Sequence, residues 1–133
     1  MANNKLAIIG GSGLYDVEEF KDRELLDLKT PWGIPSDQIL KTYFKGKGVY
    51  FLPRHGRGHF INPSKINFRA NIDALKQLGV TDIISVSAVG SLKEELPPGK
   101  FVIVDQFIDR TFARNKTFFD DEIVAHVSMA HPT

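Results

Sequence analysis

The sequence contains no cysteine and no long apolar run, and its formal net charge is only +1. The lack of cysteine excludes disulfide bonds and thiolate metal sites, and it suits a reducing cytoplasm. The N-terminal apolar run, Leu6–Ile9, is too short for a signal peptide, and no other run is long enough to cross a bilayer. A charge near zero creates no field that attracts nucleic acid or an anionic membrane. We therefore expect a cytoplasmic protein that binds neither.

The length of 133 residues, with 42% hydrophobic and 25% charged residues, is typical of one globular domain with its own core. Several short apolar runs are bounded by glycine, proline or polar residues, as strands usually are. The predicted strands cover Leu6–Ile9, Ile39–Phe44, Val49–Leu52, Asp82–Ser87, Phe101–Val104 and Ile123–Val127. The short segment Lys45–Gly48 joins the second and third of them as a predicted hairpin.

The clearest helix is predicted over residues 67–78, with Asn67 or Ser64 as its N-terminal cap and Gly79 as its stop. Apolar residues recur along it at spacings of four, three and three, which predicts a buried face made of Phe68, Ile72, Leu75 and Leu78. A helix between two buried strands is a βαβ unit, so the predicted fold class is α/β. With the hairpin, we expect a mixed central sheet flanked by helices, in a single domain over residues 1–133.

The most informative segment is Leu52–His59, which holds two arginines, two histidines and two glycines directly after a predicted strand. Arg54 presents a planar fork of donors that matches the geometry of phosphate, and His55 adds a titratable donor. The glycines allow backbone amides to come close to a ligand. Taken alone, the segment is better explained as a basic surface turn, so the interpretation depends on the rest of the chain.

Two further loops of small residues follow predicted strands. Gly10–Gly13 lacks the third glycine of a Rossmann fingerprint and the Gly-Lys-Ser/Thr of a P-loop, which leaves a compact turn with backbone amides and the hydroxyl of Ser12. The loop Ser87–Ser91 offers the Ser87 hydroxyl and the Ala88 amide. Loops at the carboxyl ends of parallel strands gather at one edge of a sheet, so all these groups could meet on one phosphate. A purely structural turn remains the alternative for each loop.

Seven segments, in order and with consistent spacing, are similar to the methylthioadenosine phosphorylases of the trimeric purine nucleoside phosphorylase family. They are Ile8–Tyr15, Thr30–Asp37, Leu52–His59, Pro63–Ile72, Ser85–Leu92, Asp105–Thr111 and Ala125–Ala130. Members of that family are about twice this length, so the chain resembles the N-terminal half of such an enzyme, and the domain over residues 1–133 is expected to be incomplete.

The resemblance implies phosphorolysis of 5′-methylthioadenosine, or of a related purine nucleoside, in purine and methionine salvage. Phosphate is then a co-substrate, and no cofactor or metal is implied. The residues that the resemblance assigns to phosphate are Ser12, Arg54, His55, Ser87 and Ala88. It further implies a homotrimer in which His126 reaches the 5′ substituent in a neighbouring subunit's site. The acid that assists the leaving base is expected beyond Thr133.

Two other functions stay open from the sequence alone. A truncated, non-catalytic chain would retain the phosphate-binding and subunit-contact surfaces without a complete active site. An assay of phosphorolysis by the purified 133-residue chain discriminates such a chain from an active phosphorylase. A dinucleotide-binding protein is suggested only by the glycine loop, and the chain lacks both the third glycine and a strand-end acid at the required distance.

Overall fold

The computed structural model describes residues 4–11, 13, 20–120 and 123–132. The chain divides into two compact units, Met1–Ser87 and Ala88–Thr133. Every strand and helix found in these described residues lies in the first unit.

The first unit is built on a five-stranded mixed sheet. Its strands are β1 (Leu6–Gly10), β2 (Lys21–Leu26), β3 (Ile39–Phe44), β4 (Lys47–Pro53) and β5 (Asp82–Ser85). Their order across the sheet is β2-β3-β4-β1-β5. Strand β1 pairs in parallel with both β4 and β5, whereas the β2–β3 and β3–β4 pairs are antiparallel. The predicted α/β fold with a mixed sheet is therefore confirmed.

The predicted hairpin between β3 and β4 is also confirmed, and its turn is tight. Phe44 pairs with Lys47, which leaves Lys45 and Gly46 as a two-residue connection. Both have positive φ, 48° and 77° respectively. Two successive residues of this kind are the mark of a type I′ turn, whose twist matches that of the strands it joins.

Strand β2 was not predicted, because its first four residues, Lys-Asp-Arg-Glu, are all charged and do not form a pattern typical of a strand. The strand is held by its partner: Glu24 lies opposite Lys41 of β3, and the two side chains form an ion pair of 2.8 Å. Asp22 has a φ of 50°, where the register shifts between Lys21 and Glu24. A charged, irregular outermost strand is a usual protection against edge-to-edge pairing with other chains.

Helix α1 (Phe68–Gln77) begins as predicted, since the Asn67 side chain caps it by accepting a hydrogen bond of 3.1 Å from the amide of Ala70. The predicted buried face was partly wrong. Phe68 and Ile72 are 42% and 37% exposed, and the buried residues of the helix are Ala70, Asn71, Ala74 and Leu75. The two alanines bring the helix close to the sheet, where Ala74 and Leu75 join a core cluster with Ala7, Ile39 and Leu52.

Helix α1 has ten residues, and within the described ranges no helix has the length and apolarity that crossing a membrane requires.

Three strand predictions need correction. Strand β5 was expected to be buried, but all four of its residues are exposed, because it is the last strand of the sheet and pairs only with β1 among the described residues. The segments Phe101–Val104 and Ile123–Val127 were predicted as strands and are not strands in the structure. Their apolar side chains are exposed, as at Ile103 (98%) and Val127 (80%). A strand exists only when a neighbour pairs with its backbone, and neither segment has such a neighbour in the described part of the chain.

Candidate functional site

The carboxyl ends of β1, β4 and β5 lie side by side, as the sequence analysis predicted for strands of a parallel unit. Both parallel pairings continue past the strands: the Arg54 amide donates to the Gly10 carbonyl (3.1 Å), and the Val86 amide donates to the Ile9 carbonyl (2.8 Å). The segments that leave these three strands therefore start from one edge of the sheet, with the β1 exit in the middle.

The Arg54 side chain links the two outer exits of this group. Its Nη1 donates a hydrogen bond of 2.6 Å to the carbonyl oxygen of Val86, just after β5. Since β1 lies between β4 and β5, the guanidinium passes over the end of β1, where Gly10 and Gly11 present no side chain. The partly buried guanidinium is thus placed at the centre of the three strand ends.

His55 fixes the other side of the Arg54 fork. Arg54 Nε donates to His55 Nε2 at 3.2 Å, and His55 Nδ1 lies 2.9 Å from the carbonyl oxygen of Ile61. Because a guanidinium can only donate, Nε2 must be the acceptor, and Nδ1 therefore carries the proton that Ile61 accepts. Both described partners of Arg54 are neutral, and they engage two of its five N–H groups, so its charge and its remaining donors suit an anion.

The loop after β4 is a sequence of tight turns. The Gly56 amide donates to Pro53 (3.1 Å), the His59 amide donates to Gly56 (3.0 Å), and the Ile61 amide donates to His55 (3.0 Å). Gly56 has a φ of +71°, a conformation that favours glycine, and a Cβ at this position would make a tight contact of 3.3 Å with the carbonyl oxygen of Ser36. The imidazole of His59 stacks near that of His55, with ring centroids 4.5 Å apart.

Asp37 holds the tip of this loop. Its Oδ2 accepts a hydrogen bond of 2.6 Å from the Arg57 amide, and its Oδ1 accepts one of 3.0 Å from Arg57 Nη2. Partial burial favours a raised pKa for Asp37, but the hydrogen bonds from Arg57 and from the Gln38 amide outweigh it and keep the pKa below its usual value. Arg57 is therefore neutralised by a carboxylate, whereas Arg54 is not paired in this way through its described contacts.

The structure brings some of the predicted site residues together and does not do so for the others. It brings Arg54 and His55 together with the segment that leads to Ser87, which is exposed and follows Val86 directly. Ser12 lies outside the described residues. Ala88 and His126 belong to the second unit, where both are exposed. The phosphate roles of these residues, and the role of His126, stay predictions.

Sequence reasoning missed the residues that support the loop after β4. Asn71 of helix α1 is only 2% exposed, and it bonds both the amide (2.8 Å) and the hydroxyl (2.9 Å) of Ser36. The guanidinium of Arg69, on the same helix, lies over the Trp32 ring at 4.5 Å. The residues Pro35–Asp37 are typical of a turn, but a turn pattern does not indicate which residues it contacts.

Among the described residues, two carboxylates have a shifted pKa, and neither suits a general acid. Hydrogen bonds from the Thr111 hydroxyl and amide, together with Lys116, lower the pKa of Asp109 to about 2. Asp37 is kept ionised by Arg57. Within the described residues, no group of three or more His, Asp or Glu side chains is placed to hold a metal ion.

Comparison with known proteins gives consistent matches over almost the whole chain. The model of the Phosphorylase superfamily matches residues 5–133. The chain is 61% identical over 127 residues to an S-methyl-5′-thioadenosine phosphorylase of Rhodospirillum rubrum, covering 96% of this chain and 43% of that protein. It is 60% identical over 127 residues to the protein of the same name from Hyperthermus butylicus, covering 96% of this chain and 46% of that protein.

Solved structures agree with the sequence matches. A methylthioadenosine phosphorylase from an antarctic soil metagenomic library superposes with a TM-score of 0.92 at 53% identity, over 97% of this chain and 45% of that one. Methylthioadenosine phosphorylase from Schistosoma mansoni, in complex with adenine, gives 0.89 at 44% identity, over 97% of this chain and 48% of that one. The chain spans a little under half the length of these relatives.

Proposed function

Because the chain belongs to the phosphorylase superfamily, we propose that the full-length protein catalyses phosphorolysis of 5′-methylthioadenosine or a related purine nucleoside. The relatives at 60–61% identity that carry the name S-methyl-5′-thioadenosine phosphorylase support this substrate. The observation that carries the proposal is the position of Arg54, a cation whose described partners are neutral, at the meeting point of three strand ends.

In this reaction an oxygen of phosphate attacks C1′ of the nucleoside, and the bond from C1′ to the purine nitrogen breaks. The purine leaves with the electron pair of that bond and takes up a proton. From methylthioadenosine the products are adenine and 5-methylthioribose 1-phosphate. The transition state resembles an oxocarbenium ion, as in glycoside hydrolysis, so a phosphate held beneath C1′ assists by its charge and by its position.

Arg54 supplies the permanent positive charge for phosphate and offers the donors that Val86 and His55 do not engage. His55 belongs to the same cradle, in which its neutral ring orients the Arg54 fork. The exposed Ser87 hydroxyl lies next to the Val86 carbonyl that Arg54 contacts. Ser12 and the Ala88 amide complete the cradle in the proposed active site. No cofactor or metal takes part.

The acid that assists departure of the purine lies beyond Thr133 in this proposal. Such general acid catalysis is typically worth about 10²- to 10⁴-fold in rate. The pKa of Asp37 is lowered and that of Asp109 is about 2, which supports the placement, because a carboxylate that stays ionised near neutral pH cannot donate a proton.

The active protein is a homotrimer in the cytoplasm, where it serves purine and methionine salvage, and His126 of one subunit faces the 5′ substituent bound by its neighbour. The absence of cysteine suits this reducing compartment. The molar mass of the full-length protein in solution tests the assembly: a value of three chains, or a multiple of three, supports it, and a monomer or dimer rejects it.

The activity itself is tested by release of purine from methylthioadenosine by the full-length protein, with and without phosphate. The expected result is strict dependence on phosphate, with one 5-methylthioribose 1-phosphate formed for each adenine. The isolated 133-residue polypeptide is expected to bind phosphate weakly at best and to give little or no turnover. Release of free 5-methylthioribose without phosphate would identify a hydrolase and reject the proposal.

A further inference from the structure

The loop Thr30–Gln38 contacts both helix α1 and the loop that carries Arg54. The buried Asn71 of α1 holds Ser36 by two hydrogen bonds, from the Ser36 amide to its Oδ1 (2.8 Å) and from its Nδ2 to the Ser36 hydroxyl (2.9 Å). Asn67, at the start of the helix, donates to the Trp32 carbonyl at 2.8 Å. This loop is thereby fixed to the core of the first unit.

Asp37, the residue after Ser36, holds Arg57 by its backbone and by its side chain together. Its carboxylate accepts from the Arg57 amide (2.6 Å), from Nη2 (3.0 Å) and from Nε (3.2 Å). The Asp37 side chain is 13% exposed, compared with 46% for that of Arg57. Charge-assisted, forked contacts in a largely buried setting are among the stronger hydrogen bonds in proteins.

Arg57 lies in the middle of the turns that run from Arg54 to Ile61. The Gly56 amide just before it is bonded to Pro53, and the Gly56 backbone packs against the Ser36 carbonyl, where even a methyl group would be tight at 3.3 Å. On the far side, the Ile61 carbonyl accepts from His55, which in turn holds Arg54 Nε. A shift at Arg57 therefore moves the partners that aim the guanidinium of Arg54.

We propose that Asp37 is a positioning residue for the bound phosphate, which it never touches: it fixes Arg57 and, through the turns of residues 53–61, holds Arg54 and His55 in the geometry that receives the anion. This inference rests on the proposed function, since it assigns phosphate to Arg54. It also assigns a structural role to Arg57, whose charge is compensated by Asp37.

The test uses the full-length protein and the variants Asp37→Asn and Arg54→Ala, with KM measured separately for phosphate and for nucleoside. Asp37→Asn keeps the size of the side chain but removes its charge, so it weakens the hold on Arg57. We expect KM for phosphate to rise about 10- to 100-fold, as displacement of a binding group by about 1 Å can produce, with KM for the nucleoside unchanged within about twofold. The matched control is Glu24→Gln, which breaks the 2.8 Å ion pair with Lys41 between strands β2 and β3 and should change neither constant.

Arg57→Gln approaches the same contact from its other partner, and it keeps the inference testable if Asp37→Asn does not fold. Arg57→Gln should reproduce the rise in KM for phosphate. The variant that carries both Asp37→Asn and Arg57→Gln should be no worse than the more severe single variant, because both substitutions break the same contact between Asp37 and Arg57. The inference is overturned if both variants keep the wild-type KM for phosphate while Arg54→Ala raises it, and the proposed function then stands. It is also overturned if they lower melting temperature and impair both substrates equally, which is the result of a purely structural role. If Arg54→Ala also leaves KM for phosphate unchanged, the phosphate site of the proposed function fails as well.

Discussion

Arg54 is the residue on which the proposed function depends, and its contacts explain why it is placed before any anion binds. Its Nη1 is held by the Val86 carbonyl and its Nε by His55, whose own proton is given to Ile61. A guanidinium ordered in this way loses less conformational entropy when an anion arrives. Ordering by neutral groups has a second advantage, because it leaves the positive charge uncompensated by its described neighbours.

The ion pair of Asp37 predicts a pH dependence of stability. Its pKa is lowered from the ordinary value of 3.8, so the ionised carboxylate stabilises the fold fully above that pH, and the contribution is lost as pH falls through the lower pKa of the folded state. Urea unfolding of the full-length protein and of Asp37→Asn, between pH 7 and pH 3, should show a constant gap in unfolding free energy that narrows only below about pH 4. A gap that widens on acidification would contradict this assignment.

Single residues were predictable where a local motif carries the chemistry. Arg-His-Gly directly after an apolar run indicated that Arg54 and His55 follow the end of a strand, whereas their role in phosphate binding depended on the other loops and stays a prediction. Asp37 and Asn71 were not predictable, since their partners lie 20 and 35 residues away, and nothing local to an Asp in a turn or an Asn in a helix indicates such a contact. The positions that support a site are therefore harder to find in a sequence than the site itself.

Among the elements, the β3–β4 hairpin depends most clearly on one residue type. Gly46 has a φ of +77°, and nothing lies within 4 Å of a Cβ added there, so any cost of a side chain is conformational. Gly46→Ala should therefore destabilise the full-length protein by about 1 kcal/mol. Gly48→Ala is the matched control, because its φ is not positive and its Cβ would meet the Tyr43 ring at an ordinary 3.8 Å. Thermal unfolding checks both, and an equal loss in the two variants would contradict the assignment of the turn.

Elements were predictable from sequence when their own residues make them stable or recognisable. The Asn67 cap marked the start of α1, and alternating or apolar runs marked β1, β3 and β4. Strand β2 was missed because its pairing with β3, and not its composition, makes it a strand. The opposite error occurred at Phe101–Val104, where an apolar run has no strand partner in the described residues.

At the level of the whole molecule, the α/β class and the common edge of β1, β4 and β5 followed from the sequence, because the βαβ connection allows few topologies. The exposure of β5 and of the apolar runs in the second unit did not follow. Ile84 is 51% exposed, and large apolar side chains such as Phe101 (92%) and Phe112 (86%) are exposed in the second unit. Hydrophobicity predicts that a residue favours burial, but only the packed structure supplies the surface that buries it.

Calorimetric titration of the full-length protein with inorganic phosphate tests most directly whether Arg54 makes these three strand ends a phosphate site. The wild-type protein should bind phosphate, and Arg54→Ala should weaken binding about 10- to 150-fold, equivalent to about 1.5–3 kcal/mol for a lost charge-assisted contact. Arg54→Lys should also bind more weakly than the wild type, because an ammonium group keeps the charge but not the fork. Phosphate binding with wild-type affinity by Arg54→Ala would contradict the site described here.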